Sequence, residues 1–160
     1  MARLAPAEIG ILHSINVSGG GIPKCPRAAA RISRDGVEGD AQRDLRYHGG
    51  PDRAVSLYSF DLIEALRAEG HPISVGTTGE NLTVAGLTWS KLAPGVQLEI
   101  GEVALELTQA AVPCMNIAAS FRSAAIARIS AKLHPGWSRF YARVLREGMV
   151  AVGDQVRRFA

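Results

Sequence analysis

Between Val96 and Leu107 apolar and polar side chains take turns. Val96, Leu98 and Ile100 alternate with Gln97 and Glu99, and Val103, Leu105 and Leu107 alternate with Ala104 and Glu106 beyond a Gly101-Glu102 break. A period of two places the apolar set on one face of an extended chain, so the stretch reads as a β-hairpin with one face against a core. Ile9 to Val17, Ala28 to Ser33 and Ala54 to Ser59 fit as further short strands, bounded by Gly, Pro and Asp. Near the C-terminus, residues 140–145 and 149–152 flank Glu147-Gly148 and predict a second hairpin, with helix as the competing reading. Turns at this regular spacing point to a barrel or a strongly curved sheet. The expected fold class is mainly β with α segments.

Two stretches break the alternation. Phe60 to Glu69 carries Leu62, Ile63 and Leu66 at helical spacing, and Met115 to Leu133 carries Ile117, Phe121, Ala125 and Ile129. Both are expected to be helices packed over the sheet. No internal repeat or Pro/Ser-rich linker divides the 160 residues, so residues 1–160 are expected to form a single domain. A hydrophobic share of 47% is enough to fill one core.

Charge and cysteine usage exclude several classes. A net charge of +3 suits a small anionic ligand but lacks the dense basic patches of a nucleic-acid binder. The N-terminal segment is interrupted by Glu8 and reads as neither signal peptide nor membrane span, so a cytoplasmic location without membrane association is expected. Two cysteines, Cys25 and Cys114, give no disulfide framework. Each is a core thiol, a metal ligand or a reactive thiol.

Four segments hold side chains suited to chemistry. Ser18 to Lys24 sets three glycines before Lys24, either an anion-cradling loop or a plain surface turn. His48-Gly49-Gly50-Pro51-Asp52-Arg53 places an imidazole and a guanidinium at the entry to a strand. There they either hold an anion or simply close a tight turn. Thr77-Thr78-Gly79-Glu80-Asn81 offers hydroxyls, a carboxylate and a carboxamide, which read a heterocycle edge or make local turns with equal ease. Thr108-Gln109 leads to Pro113-Cys114 at a strand-to-helix junction, where helix amides favour the thiolate form that binds metal or attacks. No Asp or Glu lies between Glu106 and Glu147, whereas Arg122, Arg128, Lys132, Arg139, Arg143 and Arg146 do. The bias fits a polyanionic ligand nearby or a solvated helix face.

In this order the motifs resemble the MOSC family, the domain that ends molybdenum cofactor sulfurases and also occurs in short stand-alone bacterial proteins. The resemblance rests on Gly21-Ile22-Pro23-Lys24, Gly36 to Asp40, His48 to Val55, Gly79 to Leu82, Thr108-Gln109 with Pro113-Cys114, and Gly136-Trp137 through Arg143-Val144-Leu145 to Gly153-Asp154. It is closest to the small members linked to reduction of N-hydroxylated compounds. The resemblance implies a MOSC-type β-barrel-like fold and a molybdenum cofactor (molybdopterin) whose metal is ligated by Cys114. It further implies that Lys24, His48 and Arg53 neutralise the pterin phosphate or metal oxo groups, and that Thr78, Glu80 and Asn81 hydrogen-bond the pterin. Gln109 belongs to the same cofactor-binding set. The enzyme it implies is a molybdenum-dependent oxidoreductase acting on a small-molecule substrate. Electrons would come from a separate redox protein, since the chain has no recognisable flavin, haem or iron–sulfur motif. Oligomeric state is not implied.

One departure from the family pattern bears on the site. Ala110-Ala111 stands where Pro-Arg is usual, which removes a donor for an anionic ligand beside the thiolate. The basic 122 to 146 stretch offers arginines that could take its place. The alternative reading is a sulfur carrier or cofactor-binding module in which Cys114 holds a persulfide without redox turnover. A structural β-domain with Cys114 sealed in its core is the third.

Overall fold

The computed structural model describes residues 4–41 and 50–160. Its strands are β1 (Glu8–Val17), β2 (Cys25–Arg27), β3 (Ala29–Ser33), β4 (Gly36–Val37), β5 (Val55–Ser59), β6 (Leu82–Ala85), β7 (Gln97–Ile100), β8 (Val103–Ala110), β9 (Phe140–Arg146), β10 (Gly148–Ala151) and β11 (Gln155–Arg158). Seven of them, in the order β1, β11, β7, β8, β9, β5, β6, close on themselves because β1 pairs with both β11 and β6. Closure leaves no free edge in the barrel wall. β2 extends from β1, and β10, β3 and β4 form a separate small sheet.

The alternating stretch forms the hairpin β7–β8, in which Leu98 faces Leu105 and Ile100 faces Val103. Its inward set, Leu98, Ile100, Val103, Leu105 and Leu107, is buried together with Leu12, Ile15, Leu57 and Leu82 from the other strands. β5 and β6 pair in parallel. Parallel neighbours need a crossover, which helix α1 (Phe60–Ala68) provides. The Ser59 hydroxyl caps that helix by accepting from the Leu62 amide at 3.1 Å, and Ile63 and Leu66 are its buried face.

Two expectations need correction. Residues 140–145 and 149–152 do lie in strands, but those strands do not form a hairpin. Both edges of β9 are taken, by β8 and β5, and β10 instead pairs with β3, where buried Val150 meets Ala30. The stretch from Met115 to Leu133 is not one helix. It breaks into 3₁₀ turns at Met115–Ser120, Arg122–Ala124 and Ile126–Ile129, with Ser123 and Ala124 at positive φ (55° and 54°). Left-handed residues interrupt a helical ladder, yet Ile117, Phe121 and Ile129 still reach the core. Where β8 meets β9 the register shifts between Leu107 and Gln109. Such a bulge bends a strand and re-aims the chain beyond it, here the segment that carries Cys114.

Candidate functional site

The site begins with the loop between α1 and β6. Glu80 is fully buried, and its carboxylate accepts from Thr78 Oγ1 at 2.8 Å, Thr83 Oγ1 at 3.1 Å and the Gly76 amide at 3.1 Å. Burial pushes this carboxyl above the ordinary glutamate value, against the pull of those hydrogen bonds. Asn16 Nδ2 donates to the Glu80 carbonyl and to Thr83 Oγ1. Asn81 accepts from the Ser56 amide through Oδ1 and donates through Nδ2 to Asp40 Oδ2 at 2.9 Å. Asp40 also receives the Lys24 ammonium at 2.8 Å.

The loop lies directly against the glycine-rich segment before Lys24. The Lys24 amide donates to the Gly76 carbonyl at 3.0 Å, and a Cβ on Gly76 would collide with the Lys24 carbonyl oxygen. Gly76 also sits at φ +83°, so glycine is required there twice over.

Above this floor opens a cavity of about 230 Å³. Lys24, Thr78, Gly79, Cys114, Arg139 and Tyr141 are among its walls. Cys114 is half-buried and stands just before the first 3₁₀ turn. The Ala111 amide donates to the Arg139 carbonyl at 2.9 Å, which brings Arg139 alongside the thiol-bearing segment. The Arg139 side chain is buried, and its Nη1 donates to the Thr78 carbonyl at 2.8 Å. Its Nε is buried without a hydrogen-bond partner among the described residues. Burial raises the Tyr141 phenol above its ordinary value, while the Arg139 and Arg53 charges oppose the rise and Cys114 adds to it. The Arg53 guanidinium lies over the Tyr141 ring, 5.6 Å from its centre.

The structure brings three of the sequence-predicted residues together at the cavity: Cys114, Lys24 and Thr78. Lys24 comes with its charge already matched by Asp40. Arg53 is not among the cavity walls, and its guanidinium lies over the ring of Tyr141, which is. Glu80 and Asn81 lie behind the wall rather than on it, with their polar atoms engaged inside the protein. Gln109 is half-buried opposite Tyr141 in the β8–β9 ladder and does not line the cavity. His48 lies outside the described residues. Cys25 is exposed on β2 and, unlike its neighbour Lys24, does not line the cavity.

Arg139, Tyr141 and Asp40 are the residues that sequence reasoning did not single out. The acid-free basic stretch contains Arg139, but nothing in its spacing distinguishes it from its neighbours. Folding does: Arg128 pairs with Glu69, Arg143 with Asp52 and Glu106, and Arg146 approaches Glu99, whereas Arg139 turns into the cavity. Among the described residues no three His, Cys, Asp or Glu side chains gather to hold a metal. A metal bound at Cys114 would therefore have to arrive with most of its own ligands.

Known proteins share both the sequence pattern and the barrel. The MOSC domain profile matches residues 44–157. YflK of Bacillus subtilis (strain 168) is 37% identical over 138 residues, which cover 83% of this chain and 60% of YflK. A protein named Reductase from Gibberella moniliformis is 32% identical over 130 residues, covering 78% of this chain and 22% of that protein. The chain thus spans less than two thirds of either relative. The crystal structure of YiiM from Geobacillus stearothermophilus superposes with a TM-score of 0.69 at 25% identity, over 95% of this chain and 75% of YiiM.

Proposed function

The chain belongs to the MOSC domain family, and on that premise we propose that it binds a molybdenum cofactor through Cys114 and reduces N-hydroxylated small molecules. One observation carries the reading: the Cys114 thiol is neither sealed in the core nor stranded on the surface, but lines a cavity walled by glycine, a hydroxyl and a guanidinium. The donor set fits the group. A thiolate is a soft ligand suited to a metal already held by sulfur, and a single protein ligand is what a metal carried on its own organic chelate requires. The relative named Reductase supports the class of reaction.

Bound there, molybdenum would supply two-electron removal of oxygen from an N–OH group. The chain's own residues bind and orient. Lys24 and Thr78 wall the space the cofactor would occupy, with Asp40 fixing the Lys24 ammonium and Glu80 accepting from the Thr78 hydroxyl. Glu80 and Asn81 act from behind the wall by holding Thr78 and the Lys24–Asp40 pair in position. Arg53 acts through Tyr141, Gln109 backs Tyr141 from the facing strand, and His48 completes the proposed cofactor set. The electrons come from a separate redox protein.

Metal analysis after expression in a cofactor-competent host tests the reading. Wild type and Cys25→Ser should retain molybdenum at about one per chain, and Cys114→Ser should lose it. Equal retention in all three overturns the assignment. The half-buried thiol equally suits a persulfide carrier, whose mark would be cyanide-labile sulfur on Cys114 with no molybdenum retained.

A further inference from the structure

Among the cations around the cavity, Arg139 is held differently from the rest. Lys24 is matched by Asp40 at 2.8 Å, and Arg143, further along β9, is matched by Asp52 and Glu106. Arg139 lines the cavity with only 9% of its surface exposed, and no carboxylate pairs with it among the described residues. Its one hydrogen bond runs from Nη1 to a backbone oxygen, that of Thr78, and Nε has no partner among the described residues. A guanidinium is a fork of several donors that matches an oxyanion with two parallel bonds. Burying one with donors unused is costly unless something else takes them up.

Its position matters as much as its unused donors. The Arg139 carbonyl accepts from the Ala111 amide, three residues before Cys114, and both side chains wall the same cavity. Tyr141 walls the same cavity, and burial raises its phenol, a rise that the Arg139 charge opposes and Cys114 adds to. No acid among the described cavity walls answers the guanidinium.

We propose that Arg139 is the anion-binding residue of this cavity, clamping a small oxyanion or carboxylate beside Cys114, so that the thiol meets anionic reactants in preference to neutral ones. The assignment rests on reading the cavity as a ligand site, but it does not depend on molybdenum. Lys24 contributes little to it, because its charge is already balanced.

Thiol alkylation in the Cys25→Ser background reads this directly, with iodoacetate as the anionic reagent and iodoacetamide as its neutral twin. In both reactions the thiolate sulfur attacks the methylene carbon, the S–C bond forms as the C–I bond breaks, iodide leaves with the electron pair, and the thiol proton passes to solvent. The ratio of the iodoacetate rate to the iodoacetamide rate at Cys114 should exceed that of a small free thiol by about tenfold, the effect of one charge-assisted hydrogen bond. Inorganic phosphate should slow the iodoacetate reaction and lower the ratio. Arg139→Gln should bring the ratio down to that of the free thiol, with Arg139→Lys in between. A wild-type ratio equal to that of the free thiol overturns the proposal without any variant, so a failure of Arg139→Gln to fold does not shelter it. A high ratio that survives in folded Arg139→Gln overturns it as well. Metal content, measured separately, tells this proposal from the preceding one. Molybdenum retained on a thiol with no anion preference sinks only the Arg139 assignment, and an anion preference without molybdenum sinks only the cofactor assignment.

Discussion

Residues 74–83 and residues 111–117 contribute to the same cavity, and they are held in different ways. In the first segment Thr78, Glu80, Asn81 and Thr83 are almost wholly buried, and their side chains bond to one another, to Asn16, to Ser56 and to Asp40. In the second, Val112 is 83% exposed, Met115 is 65% exposed and Cys114 is half-buried. A buried, satisfied network is stiff because losing any member strands the others without water to replace it. An exposed lip has no such penalty. The floor therefore fixes the shape of the site, and the lip carries the Cys114 thiol.

The sharpest way to break this contrast is to remove the centre of the floor. Glu80→Ala leaves two hydroxyls and an amide without their acceptor, and should lower unfolding free energy by about 4 kcal/mol in urea titrations. Gly76→Ala should come next at about 2 kcal/mol, since the added methyl meets the Lys24 carbonyl at a backbone angle unfavourable to alanine. If the chain binds molybdenum as proposed, this variant should also retain less of it, because the methyl separates the two loops that meet below the cavity.

A subtler test uses pH. The Glu80 carboxyl is raised above its ordinary value of 4.5 by burial, so the folded protein holds that proton more tightly than the unfolded chain does. Stability from this group is fully present below the ordinary value and is lost as pH rises through the folded one. Glu80→Gln keeps the shape and has no proton to lose, so its Tm relative to wild type should climb as pH rises from about 4 to about 7. Parallel curves would show that Glu80 does not titrate in this way. On the lip, Val112→Ser and Met115→Ser should change stability by less than about 0.5 kcal/mol, the smallest effect of the set. A large loss there would mean that the lip is part of the framework after all.

Much of the frame was legible before folding was considered. The alternation from Val96 to Leu107 appears in the structure as β7 and β8 with the expected inward face, and Phe60 to Glu69 became α1 with Ile63 and Leu66 buried. The last strands were legible as strands but not as partners, because periodicity reports which face of a strand is buried and says nothing about which edge is occupied. Of the four residues at helical spacing after Met115, Ile117, Phe121 and Ile129 are core and Ala125 is exposed, because the backbone runs in short 3₁₀ turns rather than one helix.

For the site, the sequence by itself set the inventory: a thiol after the alternating strand, glycine-bounded loops carrying Lys24 and Thr78, and a run of cations with no acids among them. Local order is enough for that, since motif residues and their spacing are properties of the chain. Only the tertiary structure decided which of them share a cavity. Barrel closure brought the Lys24 loop, the Thr78 loop and the Cys114 segment together across large sequence separations, matched Lys24 with Asp40, put Glu80 and Asn81 behind the wall and turned Arg139 inward. The reason is that strand pairing and ion pairing are long-range choices. Each cation in the basic stretch carries the same charge in the sequence, and whether a carboxylate stands opposite it is settled only when the sheet has formed.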